Sequence, residues 1–182
     1  MRELKFHEKK LLKKVNFFNW RPEEERENQV IRAYRLTRRE DYVKYNKICG
    51  FITRLVAQLR RLNAQDEFRI QLTTALLSKL HSLGLIDSAS SLLACEKIGP
   101  ASFCRRRLAV ILVRLQFAQT VKEATQFIEQ GHVKVGPNLV LEPALHITRA
   151  MEDLVGWTDA STIRQKVLKY NDKLDDFDLL EG

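Results

Sequence analysis

The sequence has little of what staples a small fold together from outside. Its 182 residues include three cysteines, Cys49, Cys95 and Cys104, and no CxxC pair. So sparse and odd a set of thiols argues against a disulfide scaffold or a zinc knuckle, and fits a reducing compartment, cytosol or nucleus. No apolar run approaches the roughly 20 residues that cross a bilayer as a helix. The opening, MRELKFHEKKLLKKV, is charged throughout and lacks the apolar stretch of a secretory leader, so none is expected. There is no GxGxxG or GxxxxGK loop and no pair of catalytic acids in a pocket-like context, which removes the usual signatures of nucleotide-dependent enzymes and of paired-acid catalysis. Glycine and proline number only seven and four and gather in the second half. The first half therefore reads as helical and the second as mixed.

What the chain does have is positive charge. Lysine and arginine total 31 against 23 acids, a net charge of +8 that points to a polyanionic partner. In the opening segment Leu4, Leu11, Leu12 and Val15 fall roughly on one side of a helix, with lysines elsewhere. Such a segment is compatible with a membrane surface, a nuclear signal, RNA or a protein partner, and by itself selects none of them.

A capping box, Thr37 with Glu40, precedes a long periodic stretch. Tyr42, Tyr45, Ile48, Cys49, Ile52, Leu55, Val56, Leu59 and Leu62 repeat at helical spacing and predict one helix over about 38–62. The two tyrosines read as helical core rather than base-stacking groups, and Arg38, Arg39, Lys44, Lys47, Arg54, Arg60 and Arg61 occupy the other faces. A second helix is expected to start at Asp66 and end at Gly84, with Phe68, Leu72, Leu76, Leu80 and Leu83 as its apolar stripe. His81, in its last turn, complements the helix dipole. Residues 87–100, DSASSLLACEKIGP, form a serine-rich connection and mark a domain boundary.

From Lys97 to Lys122 there are six basic residues and no acid. Ser102 is a candidate cap for a helix whose apolar side is Leu108, Ile111, Leu112 and Leu115. Arg107 and Arg114, seven apart, are expected on one face, and Arg105 and Arg106 in the first turn, where the helix dipole disfavours cations. An anionic ligand would compensate them. Thr120 and Glu123 form a second capping box, Val121, Ala124, Phe127 and Ile128 a buried side, and Gly131 a left-handed cap. The period then changes to two. Val133 and Val135 face one way and His132 and Lys134 the other, before Gly136-Pro137-Asn138 turns the chain into Leu139, Val140 and Leu141.

This constellation, RRRLAVILVRLQFAQTVKEATQFIEQGHVKVGPNLVLEP, resembles the RNA-binding domain of ribosomal small-subunit protein S-four, the alpha-L RNA-binding motif, over residues 103 to about 157. The turn departs from that family, which places Asn-Gly after the valine. YRLTRREDYVKYNK and ALLSKLHSLGLID are similar to the helical half of the archaeal and eukaryotic ribosomal protein. The N-terminal KFHEKKLLKKVNFFNW, with SFCRRRL and TRAMEDLVGWTD, is most similar to its nucleolar paralogues, subunits of the U-three small nucleolar ribonucleoprotein.

The resemblance implies an α+β protein: a mostly helical half with a basic arm (1–100), an alpha-L domain of two short helices and a small antiparallel sheet (101–157), and a C-terminal helix with an acidic tail (158–182). It implies a non-catalytic protein of the nucleolus, without cofactor or metal. The partners implied are U-three small nucleolar RNA, pre-ribosomal RNA and the M-phase phosphoprotein scaffold of the small-subunit processome. A structural ribosomal protein on mature RNA is the alternative. The candidate RNA-binding residues are Arg105, Arg106, Arg107, Arg114, Thr120, Lys122, Gln130, His132, Lys134 and Asn138. His132 has no visible catalytic partner, and its other reading is a structural histidine at the helix–strand junction. In the last segment Asp159 and Ser161 are cap candidates for a helix carrying Ile163, Val167 and Tyr170. Asp172, Asp175, Asp176, Asp178 and Glu181 follow it as a candidate protein contact.

Overall fold

The computed structural model describes residues 2–14 and 24–171. Two helices, α1 (Phe6–Lys14) and α2 (Glu24–Ala33), precede the long α3 (Arg39–Arg61) and α4 (Glu67–Ser82). Short helices α5 (Leu93–Glu96), α6 (Pro100–Cys104) and α7 (Leu108–Arg114) lead to α8 (Val121–Glu129). A hairpin of β1 (Val133–Val135) and β2 (Asn138–Leu139) follows, then α9 (Arg149–Glu152), β3 (Val155–Trp157) and α10 (Thr162–Tyr170). The sheet is antiparallel in the order β2-β1-β3, with Val133 opposite Trp157 and Val135 opposite Asn138 and Val155. This is the α+β architecture expected, with β3 added to the hairpin.

The local signals hold where their partners are local. The Asp66 side chain caps α4 through the Phe68 N–H at 3.1 Å, Thr120 caps α8 through Glu123 N–H at 3.2 Å, and Ser161 caps α10 through Ile163 N–H at 3.3 Å. Thr37 does not cap α3. Arg38 occupies that position without a side-chain bond. Val15 and the acidic residues from Asp172 onward lie outside the described residues.

Helix ends are closed by a recurring device. After α4 the Gly84 N–H bonds to His81 O and Leu85 N–H to Leu80 O; after α8 the Gly131 N–H bonds to Ile128 O and His132 N–H to Phe127 O. Gly84 and Gly131 take φ of +70° and +78°, the left-handed turn these paired bonds require. Arg35 after α2 (φ 46°) and Gln116 after α7 (φ 63°) close their helices in the same way without the freedom of glycine.

Apolar side chains collect in two cores. The first joins Tyr45, Cys49, Ile52 and Val56 of α3 to Leu77 and Leu80 of α4, and takes in Cys95, Ile98, Phe103 and Cys104. The second joins Leu108, Ile111 and Leu112 of α7 to Ala124 and Ile128 of α8, Val133 and Val135 of β1, Ile147 and Val155. Leu108, Ile111, Leu112 and Ile128 have no exposed surface. Each full burial contributes roughly 1.5–3 kcal/mol. Two expected stripes fall short: Ile48 and Leu55 on α3, Leu62 at its C-cap, and Phe68 and Leu72 on α4, remain exposed.

The cores meet at an aromatic seam. Tyr45 stacks on Phe103 with centroids 5.7 Å apart, and the His146 ring stands edge-on to both. The Leu108 N–H bonds to Leu145 O and the Ile147 N–H to Arg106 O, both at 2.8 Å, forming a short antiparallel bridge between Arg107 and His146.

Candidate nucleic-acid interface

That bridge decides the fate of the arginine triplet. A single helix capped by Ser102 would place Arg105 and Arg106 in its first turn. Instead α6 ends at Cys104, its N-cap is Gly99, and α7 starts afresh after Arg107, which is extended at φ −70°, ψ 142°. The backbone of Arg106–Leu108 finds its hydrogen-bond partners in residues 145–147, so the helix cannot run through.

Two of the three arginines consequently point inward, each only 4% exposed. The Arg106 guanidinium donates to Ile147 O (Nε, 2.9 Å) and pairs with Glu152. The Arg107 Nη1 donates to the Asp41 carboxylate and to the Tyr45 hydroxyl, both at 3.1 Å. The expectation that Arg106 and Arg107 face a phosphate is corrected by this burial, and so is the shared face of Arg107 with Arg114. Only Arg105 is exposed, its Nε donating to the Tyr34 hydroxyl at 3.2 Å.

Arg114, about half-exposed, pairs with the other oxygen of Glu152. Burial raises the cost of ionising Glu152, but hydrogen bonds from Arg106 and Arg114 outweigh it and hold the carboxyl below its usual range. Across the seam, burial and the Arg107 charge hold His146 below the ordinary imidazole value, and its Nε2 lies 3.0 Å from the Tyr45 hydroxyl. Burial pushes the Cys104 thiol up to about 11, so it behaves as a small apolar side chain.

The polar side of β1 is tied to the segment after β3. The His132 Nδ1 lies 3.1 Å from Ser161 Oγ, its carbonyl accepts from Thr158 N–H at 3.0 Å, and its ring stands edge-on to Phe127. Lys134 Nζ donates to Asp159 at 2.7 Å, and Arg164 pairs with the same carboxylate. The Lys134 bond is the main cause of an Asp159 carboxyl lowered from its usual range. His132 thus anchors the helix–strand junction to α10, with its ring half-buried. Thr120, Lys122, Gln130 and Asn138 are exposed. The bonds sort the candidates into an interior pair (Arg106, Arg107), a tethered pair (His132, Lys134), the cap Thr120, and an exposed group (Arg105 on the Tyr34 hydroxyl, Lys122, Gln130, Asn138), with Arg114 between.

Geometry also brings forward residues that the periodicity does not single out. Tyr34, Arg35 and Arg38 line a cleft of about 190 Å³ beside the buried Arg107, and Tyr34 holds the exposed Arg105. The signal available in the sequence, the run YRLTRR, reads equally well as a solvated helix end.

A helical half joined to a helix pair, a short antiparallel sheet and exposed cations defines an RNA-binding protein of the S4 class. The chain matches the family model "Ribosomal protein S4/S9 N-terminal domain" over residues 3–97 and "S4 domain" over residues 106–153. It is 49% identical to the human protein named U3 small nucleolar ribonucleoprotein protein IMP3, over 98% of both chains, and 48% identical to the Saccharomyces cerevisiae protein of the same name, again over 98% of each. It is 27% identical to the small ribosomal subunit protein uS4 of Picrophilus torridus over 74% of each chain. The chain belongs to the IMP3 family of U3 small nucleolar ribonucleoprotein proteins, uS4-like paralogues that act in ribosome biogenesis through RNA binding and are not enzymes.

Proposed function

We propose that the chain binds U3 small nucleolar RNA together with pre-ribosomal RNA and promotes their pairing for early small-subunit rRNA processing. Its place is the nucleolus, on the M-phase phosphoprotein scaffold and among other processome proteins. The observation that carries this reading is likeness over nearly the whole chain to proteins named for the U3 particle, against a partial and weaker likeness to uS4. Residues 1–100, 101–157 and 158–182 serve as helical half, alpha-L domain and C-terminal helix with acidic tail.

On this reading Arg105, Lys122, Gln130 and Asn138 meet RNA directly, joined by Arg114 and Lys134, each of which shares its charge with a carboxylate. Exposed guanidinium and ammonium groups bind the phosphates of A-form or distorted RNA, whose deep groove side chains cannot read. Thr120 orients the end of α8, and His132 presents its ring while Ser161 holds Nδ1. Arg106 and Arg107 support the surface from behind. Replacing Arg105 and Lys122 by alanine should lower the salt slope of RNA binding by roughly 0.7 to 0.9 per lost contact without unfolding the protein. An unchanged slope removes both from the interface.

The deciding experiment is crosslinking in cells followed by sequencing of the attached RNA. Reads on U3 RNA and the 5′ region of pre-ribosomal RNA support the reading. Reads confined to mature small-subunit RNA transfer the protein to the ribosomal role that its likeness to uS4 allows.

A further inference from the structure

Helix α3 carries two parallel rows at seven-residue spacing that the fold leaves outside. Ile48 and Leu55, continued by Leu62 at the C-cap, form one, with Phe51 between the first two; all are exposed, Phe51 at 61%. Lys47, Arg54 and Arg61 form the other, one position earlier at each step. Spacings of three and seven put the apolar row along one side of the helix, beside the buried Tyr45, Cys49, Ile52, Val56 and Leu59. From Ile48 to Leu62 the row spans roughly 21 Å at 1.5 Å per residue. It does not stop at the helix. Ile48 also lines an apolar groove of about 260 Å³ with Leu83, Leu85, Phe103 and Ile147, so the row continues into the seam between the two cores.

The charges beside the row are of one sign. Residues 42–65 contain no aspartate or glutamate. Among the described residues no carboxylate pairs with Lys47, Arg54 or Arg61, and the Arg54 guanidinium lies over the Phe51 ring at 4.8 Å. An RNA partner would match the cations and could stack a base on Phe51, but would gain nothing from Ile48, Leu55 and Leu62, which offer no hydrogen bond and no flat face. An apolar seam flanked by charge at heptad spacing is what one helix presents to another, with the flanking charges selecting the partner.

We propose that this face of α3 is the docking site for an amphipathic helix of a protein partner, with leucine-like residues along its seam and carboxylates opposite Lys47, Arg54 and Arg61. The proposal does not depend on which RNA the protein binds. The probe is a synthetic three-heptad peptide with leucine at the seam and glutamate at the flanking positions, titrated into the full chain. A peptide with lysine at the flanks serves as control.

The glutamate peptide should bind, bind more weakly as salt screens the charges, and lose about tenfold or more in affinity to the Phe51→Glu/Leu55→Glu variant. Both substituted positions are exposed, so the variant's thermal melt should match the parent's. Failure of the glutamate peptide to bind overturns the proposal, as does equal binding of the lysine peptide. A rise in peptide affinity on deleting residues 172–182 overturns it in favour of the chain's own acidic end. A parent dimer that the variant dissolves gives the face to a second copy. Weaker binding of U3 RNA by the variant gives it to RNA.

Discussion

The two cores solve burial differently. Around α7, α8 and β1 nearly every apolar side chain has a partner: Leu108, Ile111, Leu112, Ala124, Ile128 and Val133 expose nothing. Around α3 and α4 the molecule buries one side of each helix and leaves Ile48, Phe51 and Leu55, with Phe68, Ile70 and Leu72, in the open. The difference cannot come from composition, because both regions are rich in leucine and isoleucine. It comes from the number of elements available to cover them. Among the described residues the S4 core is closed on itself by helices, sheet and the 145–147 segment, whereas α3 is covered by α2, α5 and α6 on one side only. A region closed on itself can hold a shape for a ligand; a region left open offers a face that something else can cover.

The contrast can be broken most severely at the seam. Arg106→Ala leaves the Ile147 carbonyl without its guanidinium and strips Glu152 of its buried partner, and is expected to cost about 3–5 kcal/mol in chemical denaturation. A loss below about 1 kcal/mol would mean that the buried pair is nearly neutral. Leu112→Ala, in the closed core, should cost about 2–5 kcal/mol. Phe51→Ala, on the open face, should stay within roughly 0.5 kcal/mol. Comparable losses at the two sites would erase the contrast. Gly84→Ala should destabilise by at least about 1–2 kcal/mol, because alanine resists the left-handed turn. Its Cβ would also stand 2.7 Å from the Arg106 guanidinium carbon, itself pinned in place. The reverse change, Gln116→Gly, relieves a left-handed residue and should raise the melting temperature by a few degrees, read by calorimetry.

The seam should also respond to pH. The folded value of His146 lies below its ordinary 6.5, so between the two values the unfolded chain holds more protons than the folded one. Stability is therefore full above about 6.5 and declines as pH falls through that window. The slope should flatten in a His146→Phe variant; an undiminished slope would assign it to another group.

How much of this was legible from the residues depends on where each residue's partner sits. Helices α3, α4 and α8, the caps at Asp66, Thr120 and Ser161, the left-handed glycines and the alternation of β1 rest on neighbours within a few positions, and the sequence displays them. The break between α6 and α7 depends on residues 145–147, some forty positions away. The burial of Arg107 depends on Asp41, 66 positions back. No local pattern separates such an arginine from one that faces solvent, and three in a row read naturally as a phosphate grip. The exposed half of the α3 stripe was hidden for the converse reason: periodicity reports that a face is apolar, not what covers it.

Tyr45 illustrates what such distant pairing means while the protein is being made. Its buried hydroxyl meets Arg107 and His146, the latter 101 positions further along the chain. At the usual 5–20 residues per second, a ribosome needs about 5–20 s to travel between them. Until His146 is made the inner face of α3 stays unfinished, so a chaperone or an assembly partner can meet the helix before the chain has completed itself.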